Sequence, residues 1–249
     1  MLTIDSQDMS HEALNERLYL AGIQGHERVE VQNVLGHRYI GTGLPSMALD
    51  LHGTPGEDLG AFMDGPTIRV FGNAQNAIGN TMNSGLIVVH GSAGDIAGHS
   101  MRGGRIWVRD HVGYRVGIHM KASGPDGPVI IVGGCAGDFL GEYMAGGTLI
   151  VLGLGGKRGE RLVGNWVGTG MHGGTVYVRG EIAAHRLGRG ACLTEFDEAD
   201  AAALRHHLAP FCGEFGWELE EVLGGRFSKL SPVTNRPYRR LYASSVGEC

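Results

Sequence analysis

Six methionines keep time along this chain. They fall at Met63, Met82, Met101, Met120, Met144 and Met171. The first three intervals are each 19 residues. The fourth is 24, with a surplus of 5 around KASGPDGP (121–128), and the fifth is 27, with a surplus of 8 around GLGGKRGE (153–160). Each methionine belongs to the pattern G-x-x-G-x-x-x-G-x-x-M-x-x-G. The two clearest copies are GSAGDIAGHSMRGG (91–104) and GCAGDFLGEYMAGG (134–147). GNAQNAIGNTMNSG (72–85), GYRVGIHM (113–120) and GNWVGTGMHGG (164–174) are further copies, and GTPGEDLGAFMDG (53–65) is a degenerate one. A fixed short period of this kind is the signature of stacked structural units.

The length of the period decides what the unit can be. Nineteen residues are too few for a strand–helix–strand unit, which needs about 30. They suffice for two or three strands of 3–5 residues and their corners. Apolar β-branched runs such as LIVV (86–89) and VIIV (129–132) supply one strand, and the D-I-A-G and D-F-L-G stretches supply a second. Glycine at the bends accepts positive φ and close backbone approach. Stacking such units sets neighbouring strands parallel, about 4.8 Å apart, with equivalent residues in columns. The expected fold is therefore an all-β, right-handed parallel β-helix of about seven coils, with the methionines as an inner ladder. No coil buries its own apolar face alone, so the stack is stabilised coil by coil.

Composition agrees and narrows the class. The chain has 249 residues, 44 of them glycine and only 8 proline. Glycine at roughly 18% is far above the usual ~7%, yet it is not every third residue, which excludes collagen. Its alternation with apolar runs excludes a disordered linker. Net charge is -5, so no footprint for nucleic acid appears. Charged residues make up 19%, a low share that hints at a surface covered by partners. No apolar stretch reaches the ~18 residues that span a bilayer. The polar start MLTIDSQDMSHEALNERL lacks the apolar core of a secretion signal. Cys135, Cys192, Cys212 and Cys249 form no C-x-x-C pair, as in a cytoplasmic protein with reduced thiols.

The flanks differ from the repeat. Three segments are expected: an N-terminal cap over 1–45, the repeats over 46–190, and C-terminal helices with an extended tail over 191–249. SHEALNERLYLAG reads as a short amphipathic helix opening at Ser10 and stopping at Gly22, followed by a strand, VEVQNV. TEFDEADAAALRHHLAPF reads as a helix of about three turns, capped at Thr194 and stopped near Pro210. GEFGWELEEVLGG suggests a second helix ending at Gly224. The tail, FSKLSPVTNRPYRRLYASSVGEC, is basic and aromatic.

The residues GHRYIGTGL, GYRVGIHMKA and GGCAGDFLGEYMAGGTLIVLGLGG resemble the GXGXG-motif family, closely over about 29–190. That family includes the C-terminal domain of the glutamate synthase large subunit and its free-standing homologues, N-methylglutamate synthase-type subunits among them. More distantly it includes one of the chains of formylmethanofuran dehydrogenase. The tail FSKLSPVTNRPY looks more like the free-standing glutamate synthase type. The resemblance implies a non-catalytic scaffold subunit in a hetero-oligomer. It would couple a glutamine amidotransferase-type chain to an FMN-binding synthase chain. FMN, with an iron–sulfur cluster as a further candidate, is expected on those partners and no cofactor on this chain. The alternatives are a scaffold in a formylmethanofuran dehydrogenase or formyltransferase–hydrolase-like C1-transfer complex, and a stand-alone binding module.

No catalytic, cofactor-binding or metal-binding residue is expected. GTGMHG (168–173) matches G-x-G-x-x-G but precedes a strand rather than a helix. GLGGKRGE, with Lys157 and Arg158, lacks the spacing of a phosphate-binding loop and reads as a surface insertion. His90, His99, His111, His119, His172 and His185 form no metal motif and read as solvent-facing or corner residues. Asp95, Asp138 and Asn165 hold equivalent positions, as turn residues would. Leu2 stands where a glutaminase of the N-terminal nucleophile type carries cysteine.

Overall fold

The computed structural model describes residues 2–124, 127–155 and 161–234. Parts of the two insertions, with Lys157 and Arg158, lie outside the described residues. So does the tail from 235 onward, with Pro237 and Cys249. The described residues are mostly β, with few helices and one sheet of eleven strands. β1 (Leu2–Asp5), β2 (Arg28–Leu35), β3 (Ala48–Thr54), β4 (Thr67–Phe71), β5 (Leu86–Val89), β6 (Arg105–Val108), β7 (Val129–Val132), β8 (Ala145–Val151) and β9 (Gly173–Val178) pair in parallel, each with the next. β10 (Ala191–Thr194) and β11 (Ser228–Pro232) close the far edge antiparallel, with β11 against β9.

The register follows the repeat. Ile68, Ile87, Ile106, Ile130, Leu149 and Val176 form one inward column. Val70, Val89, Val108, Val132, Val151 and Val178 form the next, two residues further along each strand. Every member of both columns is buried. Away from the sheet a second row of parallel bridges joins Ala74, Ala93, Val112, Ala136 and Val163. The methionines form a third row, in which Asn83, Arg102 and Lys121 donate their N–H to the carbonyls of Met63, Met82 and Met101. All six methionines are buried, and the methyls of Met63, Met82, Met120 and Met144 sit under the corner glycines 85, 104, 147 and 174 of the following repeat. The chain thus passes the same points once per repeat, an arrangement compatible with a parallel β-helix.

The flanks cover the stack. α1 (His11–Ile23) starts where expected: the Ser10 side chain accepts from the Ala13 N–H, and Leu14, Leu18 and Ala21 are buried. β1 is not legible in the sequence, because LTID is short and lies before the helix that separates it from its partner β2.

α2 (Glu198–Phe215) departs from expectation at both ends. Its cap is Asp197 rather than Thr194, in a reciprocal capping box with Asp200. Thr194 ends β10 instead. The helix also runs through Pro210 for 18 residues in all. An interior proline costs about 3 kcal/mol; burial of Leu204, Leu208, Phe211 and Cys212 on the sheet offsets it. α3 (Leu219–Leu223) follows and ends at Gly224, as expected.

Candidate functional site

Each repeat turns a corner by a device that its glycines only partly reveal. Three alternate residues per corner have left-handed backbone. In the best-formed case they are Ile96 (φ 54°), Gly98 (φ 70°) and Ser100 (φ 54°). The alternation turns successive N–H groups toward opposite neighbours. Gly98 donates back to the Ile78 carbonyl at 2.8 Å, whereas Ile96 and Ser100 donate forward to Tyr114 and Ile118 at 2.7 and 2.9 Å. The corner is therefore hydrogen-bonded to the repeat on either side.

The middle position is glycine because a Cβ there would strike the core. At Gly98 it would land on Ile130 Cδ1, and at Gly60 it would lie 2.6 Å from Ile87 Cδ1. The outer positions share the strained φ but point away from the core, so they accept side chains. The first outer series is Tyr39, Asp58, Ala77, Ile96, Arg115, Phe139 and Trp166; the second includes Phe62, Thr81, Ser100, His119 and Tyr143. A left-handed residue costs roughly 1–2 kcal/mol when it is not glycine. The two-way hydrogen bonding holds it in place.

Outer positions are aromatic at the start of the stack, at Tyr39 and Phe62, and toward its end they are aromatic again and stack on one another. Phe139 stacks on Trp166 at 4.8 Å and His119 on Tyr143 at 5.3 Å. The Arg115 guanidinium lies 4.7 Å from the Phe139 ring and pairs with Glu142 at 2.8 Å. Tyr114, Tyr143 and Trp166 remain about half exposed. His99 lies near His119, with burial and that neighbour pushing its ring below the usual histidine range. This aromatic corner is the candidate functional surface. It offers stacking and apolar contact on a braced backbone.

The polar residues singled out in the sequence brace one repeat against the next. Asp95 Oδ1 accepts from the Tyr114 N–H at 2.8 Å, and Asp138 Oδ1 accepts from the Asn165 N–H at 2.6 Å. Asn76 Oδ1 does the same for the Asp95 N–H. The role is thus not a local turn but a bracket to the next coil. His111 Nδ1 accepts from the Cys135 N–H, and His172 Nδ1 donates to the Gly170 carbonyl. His185 lies exposed in a short 3-10 turn, Ala184–Arg186. His90 departs from the expected exposed position. It is half-buried, stacked on Phe71 and edge-on to Phe215, and it faces Glu214 at 3.4 Å. No group of three or more His, Cys, Asp or Glu side chains among the described residues could hold a metal ion. GTGMHG does lead into strand β9.

The fold and its alternating corner define a class, and the GXGXG motif family model matches residues 15–231. The chain belongs to that family. It is 44% identical to the uncharacterized protein MJ1350 of Methanocaldococcus jannaschii, over 98% of this chain and 97% of that one. Among solved structures it is similar to a chain of the formyltransferase/hydrolase complex of Methylorubrum extorquens, determined with methylofuran. The TM-score is 0.62 at 19% identity, over 89% of this chain and 87% of the other, a likeness of fold. No helix among the described residues is long and apolar enough to cross a membrane.

Proposed function

We propose that this chain is a non-catalytic scaffold subunit of a cytoplasmic hetero-oligomeric enzyme complex, folded as a right-handed parallel β-helix. The observation that carries this reading is the aromatic corner. Its backbone is bonded to both neighbouring repeats, while Tyr114, Tyr143 and Trp166 stay open on the surface. Aromatic side chains on rigid backbone supply contact area at low entropic cost, which is why interfaces are enriched in them. The carboxylates and histidines of the repeat are engaged in bracing, an arrangement suited to holding shape rather than to moving protons.

Two complexes are compatible with such a subunit. The likeness of fold to a chain of a formyltransferase/hydrolase complex supports a C1-transfer assembly. A glutamate synthase-like assembly, making glutamate or N-methylglutamate, is the second reading, supported by the resemblance of GHRYIGTGL and of FSKLSPVTNRPY. Purification of the tagged chain from its native source, with identification of stoichiometric partners, separates them. Formyltransferase and hydrolase chains would support the first reading. A glutaminase-type chain with a yellow FMN synthase chain would support the second. A lone monomer, or flavin bound stoichiometrically to this chain by itself, would refute the scaffold role. Trp166→Ala with Tyr143→Ala is expected to weaken co-elution and leave the far-UV spectrum unchanged.

A further inference from the structure

A cavity of about 340 Å³ lies between α2 and the places where β6, β7 and β8 run side by side. Its polar wall consists of Arg105, Thr148, His206 and His207, and the backbone of Gly127 and Gly147 forms part of the rest. None of the described residues that line it is acidic. Arg105 opens strand β6, in register with Val129 and, one strand further, Thr148. It makes no ion pair with any described residue. Arg69 and Arg115, which also rise from the coils, each have a glutamate within 3.0 Å.

The two histidines come from the middle of α2, with ring centroids 5.3 Å apart. His207 Nδ1 is buried and has no hydrogen-bond partner. A neutral imidazole carries one N–H that can donate to a ligand. Burial, together with His206 and Arg105, pushes His207 below the usual histidine range. Every polar side chain on the wall is thus able to donate, and Arg105 brings a positive charge that no described acidic residue of the wall matches. A metal ion is a poor fit, because the described residues include no third ligand.

We propose that this cavity binds a small oxyanion, a phosphate or carboxylate group, with Arg105 as its charged fork and Thr148, His206 and His207 as further donors. A guanidinium matches either group bidentately. Such a site sits under the helix that covers the sheet, so an occupant would also tie α2 to the coils.

The test is titration of the full chain with inorganic phosphate and, separately, acetate at constant ionic strength, followed through the histidine ring signals by NMR. Saturable shifts of His206 and His207 are expected with at least one of the two. Saturation by phosphate alone assigns a phosphate group, and by acetate alone a carboxylate. Arg105→Gln is expected to weaken binding by about tenfold or more, since a hydrogen bond to a charged group contributes about 1.5–3 kcal/mol. His206→Gln, at an exposed position, is expected to weaken it less and serves as the second variant. Shifts no larger than chloride produces, or an affinity unchanged in both variants, would overturn the proposal.

Discussion

The two faces of the sheet obey different rules. On the inner face every repeat offers the same residue type: Ile68, Ile87, Ile106, Ile130, then Leu149 and Val176. On the outer face the column changes character along the stack. It begins Glu30, Asp50, Arg69 and continues Val88, Trp107, Ile131, Ile150, Tyr177. The inner residues see only their own kind in the repeats beside them, so the environment repeats and so does the sequence. The outer residues see whatever covers them. The first three face water or ion partners, such as Arg28 for Asp50 and Glu214 for Arg69. The later five lie under Leu204, Leu208 and Phe211 of α2, in a second core distinct from the inner one.

That difference predicts two modes of failure. The largest effect is expected for Phe211→Ala. The ring is fully buried, edge-on to Trp107 at 6.3 Å and to Phe215 at 4.9 Å. Truncation should cost about 3–5 kcal/mol. Hydrogen exchange should accelerate in α2 and α3 while the amides of β5 to β8 stay protected. Equal loss in the strands would show that the two cores are one cooperative unit and would break the comparison.

Gly98→Ala probes the inner core from its corner. A left-handed alanine costs roughly 1–2 kcal/mol, and overpacking against Ile130 adds about 1–3 kcal/mol. A total of about 2–5 kcal/mol is expected in urea unfolding, with loss spread over the strands rather than confined to α2. Ile130→Val removes the methyl that the new Cβ would strike. Alone it should cost about 0.5–1.5 kcal/mol. Combined with Gly98→Ala it should cost less than the two added together. Additive losses would mean that backbone strain, and not the collision, keeps the position glycine.

The smallest expected effect is acid sensitivity of the outer core. Burial pushes the Asp200 carboxyl up, but hydrogen bonds from Lys229, Tyr177 and the Asp197 N–H outweigh it, leaving the group below its usual 3.8. Tyr177, which donates to Asp200 at 2.6 Å, is raised by its own burial and by that carboxylate. A depressed carboxyl stabilises the folded state fully above the unfolded value and loses that contribution as pH falls through the folded one. Protection of α2 should therefore begin to fall below about pH 4. Asp200→Asn should flatten that dependence; an unchanged acid profile in the variant would remove Asp200 from the account.

What is legible in the sequence follows the same division. The methionine spacing exposes the inner core because identical neighbours demand identical side chains. The corner glycines are visible too, since a Cβ has no room at the middle position. The left-handed residues around them are not: Trp166, Phe139 and Ile96 carry no mark of positive φ in their chemistry, and the N–H groups of Phe139 and Ile96 are held by the adjoining repeats. Asp95 and Asp138 read as local turn residues because sequence shows near neighbours, whereas their acceptors reach a coil 19 or 27 residues away. Pro210 reads as a stop because the covered face that carries α2 past it is assembled from distant strands. The aromatic corner escapes the sequence for a similar reason: Phe139 and Trp166, like His119 and Tyr143, lie far apart along the chain and meet only through the stacking.

One feature of the sheet governs how copies of the molecule can meet. Nine strands run the same way, β11 runs against them, and β10, antiparallel to β11, runs with them again. A stack of identical parallel rungs is a template on which another chain's first rung could continue without limit. At the far edge that match is broken: β11 pairs antiparallel with both β9 and β10, and the edge strand β10 has only 4 residues, so the rung offered to a second copy is short and out of step with the repeat. The fold thereby carries its own terminator against end-to-end growth of one copy on another.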